Sequence, residues 1–62
     1  MSSADSLKRA EALLDRLERS REKLEQTKDP DEAIEILGEL AEIAKEVEGE
    51  LARAKREADA AD

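Results

Sequence analysis

Leucine, isoleucine, valine and alanine recur at alternating steps of three and four residues in two stretches of this chain. The series in the first stretch consists of Leu7, Ala10, Leu14, Leu17, Arg21 and Leu24, with Leu13 widening it. The series in the second stretch consists of Ala33, Leu37, Leu40, Ala44, Val47, Leu51, Ala54 and Ala58, flanked by Ile34, Ile36, Ala41 and Ile43. This spacing places apolar side chains along one side of an α-helix, at the a and d positions of a heptad repeat. The pattern predicts two amphipathic helices that pair as a coiled coil.

The segment Asp29-Pro30-Asp31-Glu32 separates the two stretches. Proline is favoured at the first position of a helix, Asp29 can cap the helix, and Glu32 completes a capping box. We therefore expect helix one over about residues 4–27 with Ser2 or Ser3 as its N-cap, a turn at 28–30, helix two over about 30–58, and a frayed C-terminal tail. The predicted fold is all-α, an antiparallel two-helix hairpin forming a single domain over residues 1–62, which oligomerisation completes into a larger helical bundle.

The predicted hairpin divides the apolar residues into two sets. The set assigned to the hairpin core is Leu7, Leu14, Leu17, Leu24, Ala33, Leu37, Ala44 and Leu51. Between Ile34 and Val47 the stripe on helix two is wider than one neighbouring helix can cover, which indicates a further partner. The set assigned to that partner is Leu13, Ile36, Leu40, Ile43 and Val47. On this assignment, Ile36→Glu and Ile43→Glu prevent association and leave the helicity of the monomer largely intact.

Composition excludes several classes of function. The chain has no cysteine, no histidine and no aromatic residue, which removes disulfides, nearly all zinc chemistry and the usual stacking platforms for single-stranded nucleic acid. A formal net charge of −7 repels a phosphate backbone, so we expect no direct binding of nucleic acid. The chain shows neither an apolar run of membrane-spanning length nor a signal-peptide pattern, and the expected location is the cytoplasm, with no membrane contact.

Charge is divided unevenly between the two predicted helices. Residues 5–28 carry seven basic and six acidic side chains, whereas residues 29–62 carry four basic and twelve acidic ones. This excess is either a solvated face or a strip that selects a basic partner surface. Carboxylate pairs such as Glu35 and Glu39 lie one turn apart, but a lone hairpin has no cleft to desolvate one of them. We expect no catalytic, cofactor or metal site, and no enzyme activity by this chain alone.

One family resembles these residues. The stretch Leu17-Glu18 through Leu24-Glu25, a short turn, then Asp31-Glu32-Ala33-Ile34-Glu35-Ile36-Leu37, with Ile43-Ala44-Lys45, Glu48, Leu51 and Ala54 beyond, resembles the small subunit of exodeoxyribonuclease VII over about residues 12–56. That family is a two-helix antiparallel coiled coil of about this length, with an aromatic residue in place of Leu37 and a glycine in place of Leu40.

The resemblance implies a non-catalytic accessory subunit that packs on helices of the large nuclease subunit, which acts on single-stranded DNA. The positions that would form the hairpin core and the surface offered to that subunit are Leu17, Leu24, Ala33, Ile34, Leu37, Ala44 and Leu51. No catalytic residue is carried over.

Two alternatives remain open. The first is a homodimeric four-helix bundle that serves as a scaffold or adaptor. The second is an RNA-binding bundle similar to the plasmid copy-control protein, although this chain has no aromatic residue to stack on RNA. Its basic face would consist of Lys8, Arg9, Arg16, Arg19, Arg21 and Lys23. The nuclease and scaffold interpretations both predict a protein partner, either a second copy or a larger subunit, bound through the apolar stripe of helix two.

Overall fold

A computed structural model, which describes residues 2–60, shows two helices packed side by side. Helix α1 spans Ser3–Gln26 and helix α2 spans Pro30–Ala60. The helices run antiparallel, since Arg9 near the start of α1 bonds to Glu50 in the second half of α2. The molecule is a rod of 50 × 14 × 12 Å. The predicted all-α helical hairpin is confirmed.

Side chains cap the N-terminus of α1. The Ser2 hydroxyl accepts a hydrogen bond from the Asp5 amide, and the Asp5 carboxylate accepts one from the Ser2 amide. This reciprocal pair satisfies two backbone groups that the first turn of a helix leaves without partners. Of the two candidates for the N-cap, Ser2 takes that position.

The turn into α2 uses a simpler cap than the sequence predicts. The Asp29 carboxylate accepts a hydrogen bond from the Asp31 amide at 3.0 Å, and Pro30 opens the helix. The Asp29 amide donates to the hydroxyl of Thr27 at 3.4 Å. That hydroxyl takes the place expected for the Glu32 carboxylate, and Asp29 caps the amide of Asp31 in place of that of Glu32. Within residues 2–60 a single Asp29 cap therefore replaces the predicted capping box.

The seam between the helices has a different heptad phase from the predicted one. On the side of α1 it consists of Ser3, Ser6, Ala10, Leu13, Leu17, Ser20 and Leu24, followed by Thr27 just after the helix. Its α2 side consists of Ala33, Ile36, Leu40, Ile43, Val47, Glu50, Ala54 and Glu57. All of these residues are buried or half-buried, and Ile43, with 1% of its surface exposed, is the most deeply buried of the large apolar ones. The a and d positions are numbered from this observed seam below.

This phase corrects much of the predicted division of apolar residues. Leu17, Leu24 and Ala33 lie in the seam, as assigned. The other residues assigned to the hairpin core are exposed: Leu7, Leu14, Leu37, Ala44 and Leu51. All of those assigned to a partner lie instead in the seam: Leu13, Ile36, Leu40, Ile43 and Val47. The two helices cover this second set themselves, so its members are not the free surface.

The cost of burying Arg21 explains why the observed phase is preferred. The predicted phase places the Arg21 guanidinium between the helices, whereas the observed phase places the Ser20 hydroxyl there. Ser20 donates a hydrogen bond to Glu39 of α2 at 3.1 Å, so its burial leaves no unpaired polar atom. Burying a charge without a partner costs several times more than burying a hydrogen-bonded hydroxyl. The observed phase also buries Ile43, where the predicted phase would bury the smaller Ala44.

The C-terminal part of α2 packs against the start of α1. Ser6 is fully buried and Ala54 is 7% exposed, so small side chains line the seam at this end. Small side chains at a helix contact allow the two backbones to approach closely. The α2 helix continues to Ala60, two residues beyond the end predicted at about residue 58, and the rest of the predicted frayed tail lies outside the described residues.

Candidate protein-interaction surface

The side chains that flank the seam on one side form a charged face. It consists of Arg9, Arg16 and Lys23 of α1, at g positions, and Glu39, Glu46 and Arg53 of α2, also at g positions. Because the helices are antiparallel, the two g rows border the same side of the seam. Arg16 lies 3.8 Å from Glu46 across the helices. Bases of α1 thus face acids of α2 across this side of the seam.

Glu50 is a charged residue that lies within the seam and bonds across it. Its side chain lies in the seam at a d position and is 12% exposed. It accepts a hydrogen bond of 2.5 Å from Nε of Arg9, and Nη1 of Arg53 lies 3.3 Å away. The hydrogen bond from Arg9 holds the pKa of Glu50 below its usual value, and the same bond raises the pKa of Arg9. The sequence analysis did not assign Glu50 to the seam. The heptad spacing of bases at 9, 16 and 23 and of acids at 39 and 46 is the signal that could have indicated ion pairs between the two helices.

The lowered pKa of Glu50 predicts acid sensitivity of the hairpin. A carboxylate with a lower pKa in the folded state stabilises that state above its unfolded pKa of about 4.3, and this contribution is lost as the pH falls through the folded value. The melting temperature of the wild type should therefore decrease more steeply between about pH 5 and pH 2 than that of Glu50→Gln. Thermal unfolding followed by circular dichroism measures both.

The matched control for this pH prediction is Glu42→Gln. Glu42 is exposed on the same helix and takes part in none of the ion pairs among the described residues. Its melting curves should keep the pH dependence of the wild type. Parallel pH profiles for the wild type and Glu50→Gln would contradict the role given to the Arg9 bond.

An open groove of about 730 Å³ lies along the charged face. Arg9, Arg16, Arg53 and Arg56 line it together with Glu46 and Glu50, over a floor that includes Leu13 and Gly49. Its carboxylates already face guanidinium groups, which offsets much of the local charge. Among residues 2–60, no group of three or more acidic side chains converges as metal coordination would require.

The opposite side of the seam carries an apolar face. It consists of Leu7 and Leu14 of α1 and Leu37, Ala44 and Leu51 of α2, all at e positions, together with the neighbouring Ile34. Each of the four leucines is about half exposed, and Ile34 is 67% exposed. Single exposed apolar residues are ordinary, whereas a contiguous row of them is typical of an interaction surface. These are the largest exposed apolar side chains of the described residues, and they gather on one side of the rod.

Arg21 continues the α1 row of the apolar face beyond Leu14. Its guanidinium bonds to Glu18, with 2.6 Å from Nη2 to Oε1, and also to Glu25. Bonding to Glu18 raises the pKa of Arg21 and lowers that of Glu18. The two carboxylates hold the guanidinium against the side of α1, so its charge is balanced beside the apolar row.

Comparisons with known proteins do not assign this hairpin to a family. No protein-family model, no curated protein and no solved structure matches the chain. Within residues 2–60, neither helix has an apolar segment of the length needed to cross a lipid bilayer.

Proposed function

We propose that this chain is a non-catalytic assembly module, which binds a helical protein partner through its apolar face. The observation that carries the proposal is the row formed by Leu7, Leu14, Leu37 and Leu51, which the hairpin's own packing leaves about half exposed. Burying apolar surface is the dominant favourable term in most protein association. The cytoplasm, the location expected from the composition, is part of this proposal.

The heptad pattern supports a helical partner. Helix α2 has apolar residues at its a, d and e positions over much of its length, for example Leu40, Ile43 and Ala44. An apolar strip of this width is typical of a helix in a bundle, whereas a two-stranded coiled coil needs only a and d. The partner is therefore expected to supply at least one further helix, which packs over the e positions.

The partner that the sequence resemblance suggests is the large subunit of exodeoxyribonuclease VII. Of the seven positions that the resemblance assigns to the hairpin core and to the surface offered to the large subunit, Leu17, Leu24 and Ala33 lie in the seam of the hairpin. The remaining positions are exposed on the apolar face: Ile34, Leu37, Ala44 and Leu51. The proposal is thus supported by a division of these positions into a core set and a surface set.

Site-specific photocrosslinking in the native cells tests the proposed function. A photoreactive residue is placed at Leu37 on the apolar face, and in a matched chain at Lys45, which is exposed on the outer side of the same helix. We expect one discrete crosslinked product from position 37 and a much weaker one from position 45. The mass of the product from position 37 distinguishes a larger subunit from a second copy of this chain. A product of dimer size alone would contradict the nuclease assignment. Equal products from both positions would contradict docking on the apolar face.

A further inference from the structure

The charges of α1 are sorted between its two sides. The side on the charged face carries only bases between residues 9 and 26: Arg9, Arg16, Arg19 and Lys23. The opposite side, which borders the apolar face, carries Glu11, Glu18 and Glu25 at b positions, with Arg21 at an e position among them. Lys8, Asp15 and Glu22 lie at f positions on the outer surface, between the two sides. Charges of both signs are thus present in α1 in similar number, but they are kept apart.

The basic side of α1 has partners within the hairpin, and the acidic side has none on α2. Arg9 bonds to Glu50 and Arg16 faces Glu46. The ion pairs that involve the acidic side join Glu18 and Glu25 to Arg21 of the same helix. Across the apolar face, α2 presents mainly uncharged side chains, and the two charged ones, Glu48 and Lys55, are of opposite sign. The uncharged ones are Ile34, Leu37, Ala41, Ala44, Leu51 and Ala58.

We propose that the partner of the apolar face is an amphipathic helix with lysine or arginine along one flank, lying beside the acidic side of α1. This inference rests on the proposed function, and it adds the chemistry of the partner and its position. The hairpin joins its own helices by placing bases opposite acids beside an apolar seam, and a basic-flanked helix would repeat that arrangement on the other side of α1. Complementary charges of this kind select partners and orientations more than they add affinity.

The same charges disfavour a second copy as the occupant. Two copies that meet by their apolar faces with α1 against α1 would bring together two rows that each contain Glu11, Glu18 and Glu25. Each chain also carries a formal net charge of −7. Like charges placed against each other at an interface oppose association.

Binding of two designed peptides tests this inference. Both peptides have about four heptads with leucine at a and d, and they differ only in carrying lysine or glutamate at e and g. We expect the lysine peptide to bind the hairpin at least tenfold more tightly than the glutamate peptide at low salt. The difference should shrink as added salt screens the charges. Fluorescence anisotropy of labelled peptide measures both affinities.

Matched glutamine variants locate the effect on the hairpin. The variant Glu11→Gln, Glu18→Gln, Glu25→Gln removes three charges beside the apolar face and should bring the two affinities within about threefold of each other. The control Glu32→Gln, Glu35→Gln, Glu42→Gln removes three exposed charges of α2 on the other side and should keep the preference. An equal effect of both variants would overturn the assignment to α1, because the peptide would then sense only the total charge.

The outcomes separate this inference from the proposed function. Equal binding of both peptides, lost on Leu37→Gln and Leu51→Gln, would overturn the basic partner and support the apolar docking face. Binding of the lysine peptide that survives these two substitutions would overturn both. No binding of either peptide would overturn the basic partner, while the crosslinking from position 37 would still decide whether the apolar face is a docking surface.

Discussion

Ile43→Ala should lower the free energy of unfolding by about 2–4 kcal/mol, the largest effect on stability that we expect from a single truncation in this hairpin. Ile43 is 1% exposed and lies in the middle of the seam on the α2 side. Its truncation removes apolar contacts and leaves a cavity that two straight helices cannot close without losing other contacts. A domain of this size is stabilised by only about 3–9 kcal/mol in total. Urea denaturation followed by circular dichroism should therefore show much of that stability lost.

The control for this experiment is Ile34→Ala, the same change nine positions earlier in the same helix. Ile34 is 67% exposed on the apolar face, so its truncation in the free hairpin should cost less than about 0.5 kcal/mol. The measurement is made at a protein concentration low enough that the chain is monomeric. Similar losses for the two variants would mean that the seam does not run along Ile36 and Ile43.

The stability prediction reverses an expectation drawn from the sequence. With Ile36 and Ile43 assigned to a partner, glutamate at these positions was expected to prevent association and leave the helicity intact. The structure buries both side chains between α1 and α2, so each substitution would place a carboxylate in the seam. A buried charge without a partner is among the most destabilising changes known. We therefore expect the helicity to be lost together with any association.

The hairpin itself followed from local signals in the sequence. The proline turn at Asp29 and Pro30 and the two apolar heptad series act over short distances, and each determines the local backbone with little help from the rest of the chain. The phase of the seam did not follow, because both helices carry two overlapping apolar rows. On α1 the two rows share Ala10, Leu17 and Leu24. The predicted row also contains Leu7 and Leu14, whereas the observed seam adds only Leu13, so the number of leucines favours the predicted row.

Two polar residues, Ser20 of α1 and Glu50 of α2, distinguish the observed seam from the predicted one. If the predicted row formed the seam, the Arg21 guanidinium would be buried between the helices. The observed seam buries the Ser20 hydroxyl instead, which donates a hydrogen bond to Glu39. Glu50 carries the same information on α2, since its carboxylate lies in the seam with a hydrogen bond from Arg9 of the other helix. Such pairs depend on the register of one helix against the other, which the periodicity of a single helix does not determine. The free apolar surface consists of the residues that the seam does not cover. An error in the predicted seam therefore produces an error in the predicted interaction surface.

The triple variant Leu7→Gln, Leu37→Gln, Leu51→Gln should weaken partner binding by about 100-fold while the hairpin stays folded. Each of these leucines is about half exposed, so covering the remainder is worth roughly 1 kcal/mol per side chain. Together they supply about 3 kcal/mol, and each 1.4 kcal/mol is a tenfold change in the dissociation constant. The substitutions lie outside the seam, and glutamine is a good helix former, so helicity should be kept.

The dissociation constant is measured by titrating the partner captured from position 37 against the wild type and the variant. The matched control is Val47→Ala, a truncation in the seam of α2. It should lower the free energy of unfolding by about 1–2 kcal/mol and leave the dissociation constant within about twofold of the wild type, since the seam faces α1. A triple variant that binds as tightly as the wild type would show that the apolar face is not the contact. If Val47→Ala instead caused the larger loss of binding, the partner would have to separate the two helices and pack into the seam, because only then does the seam contribute to the interface.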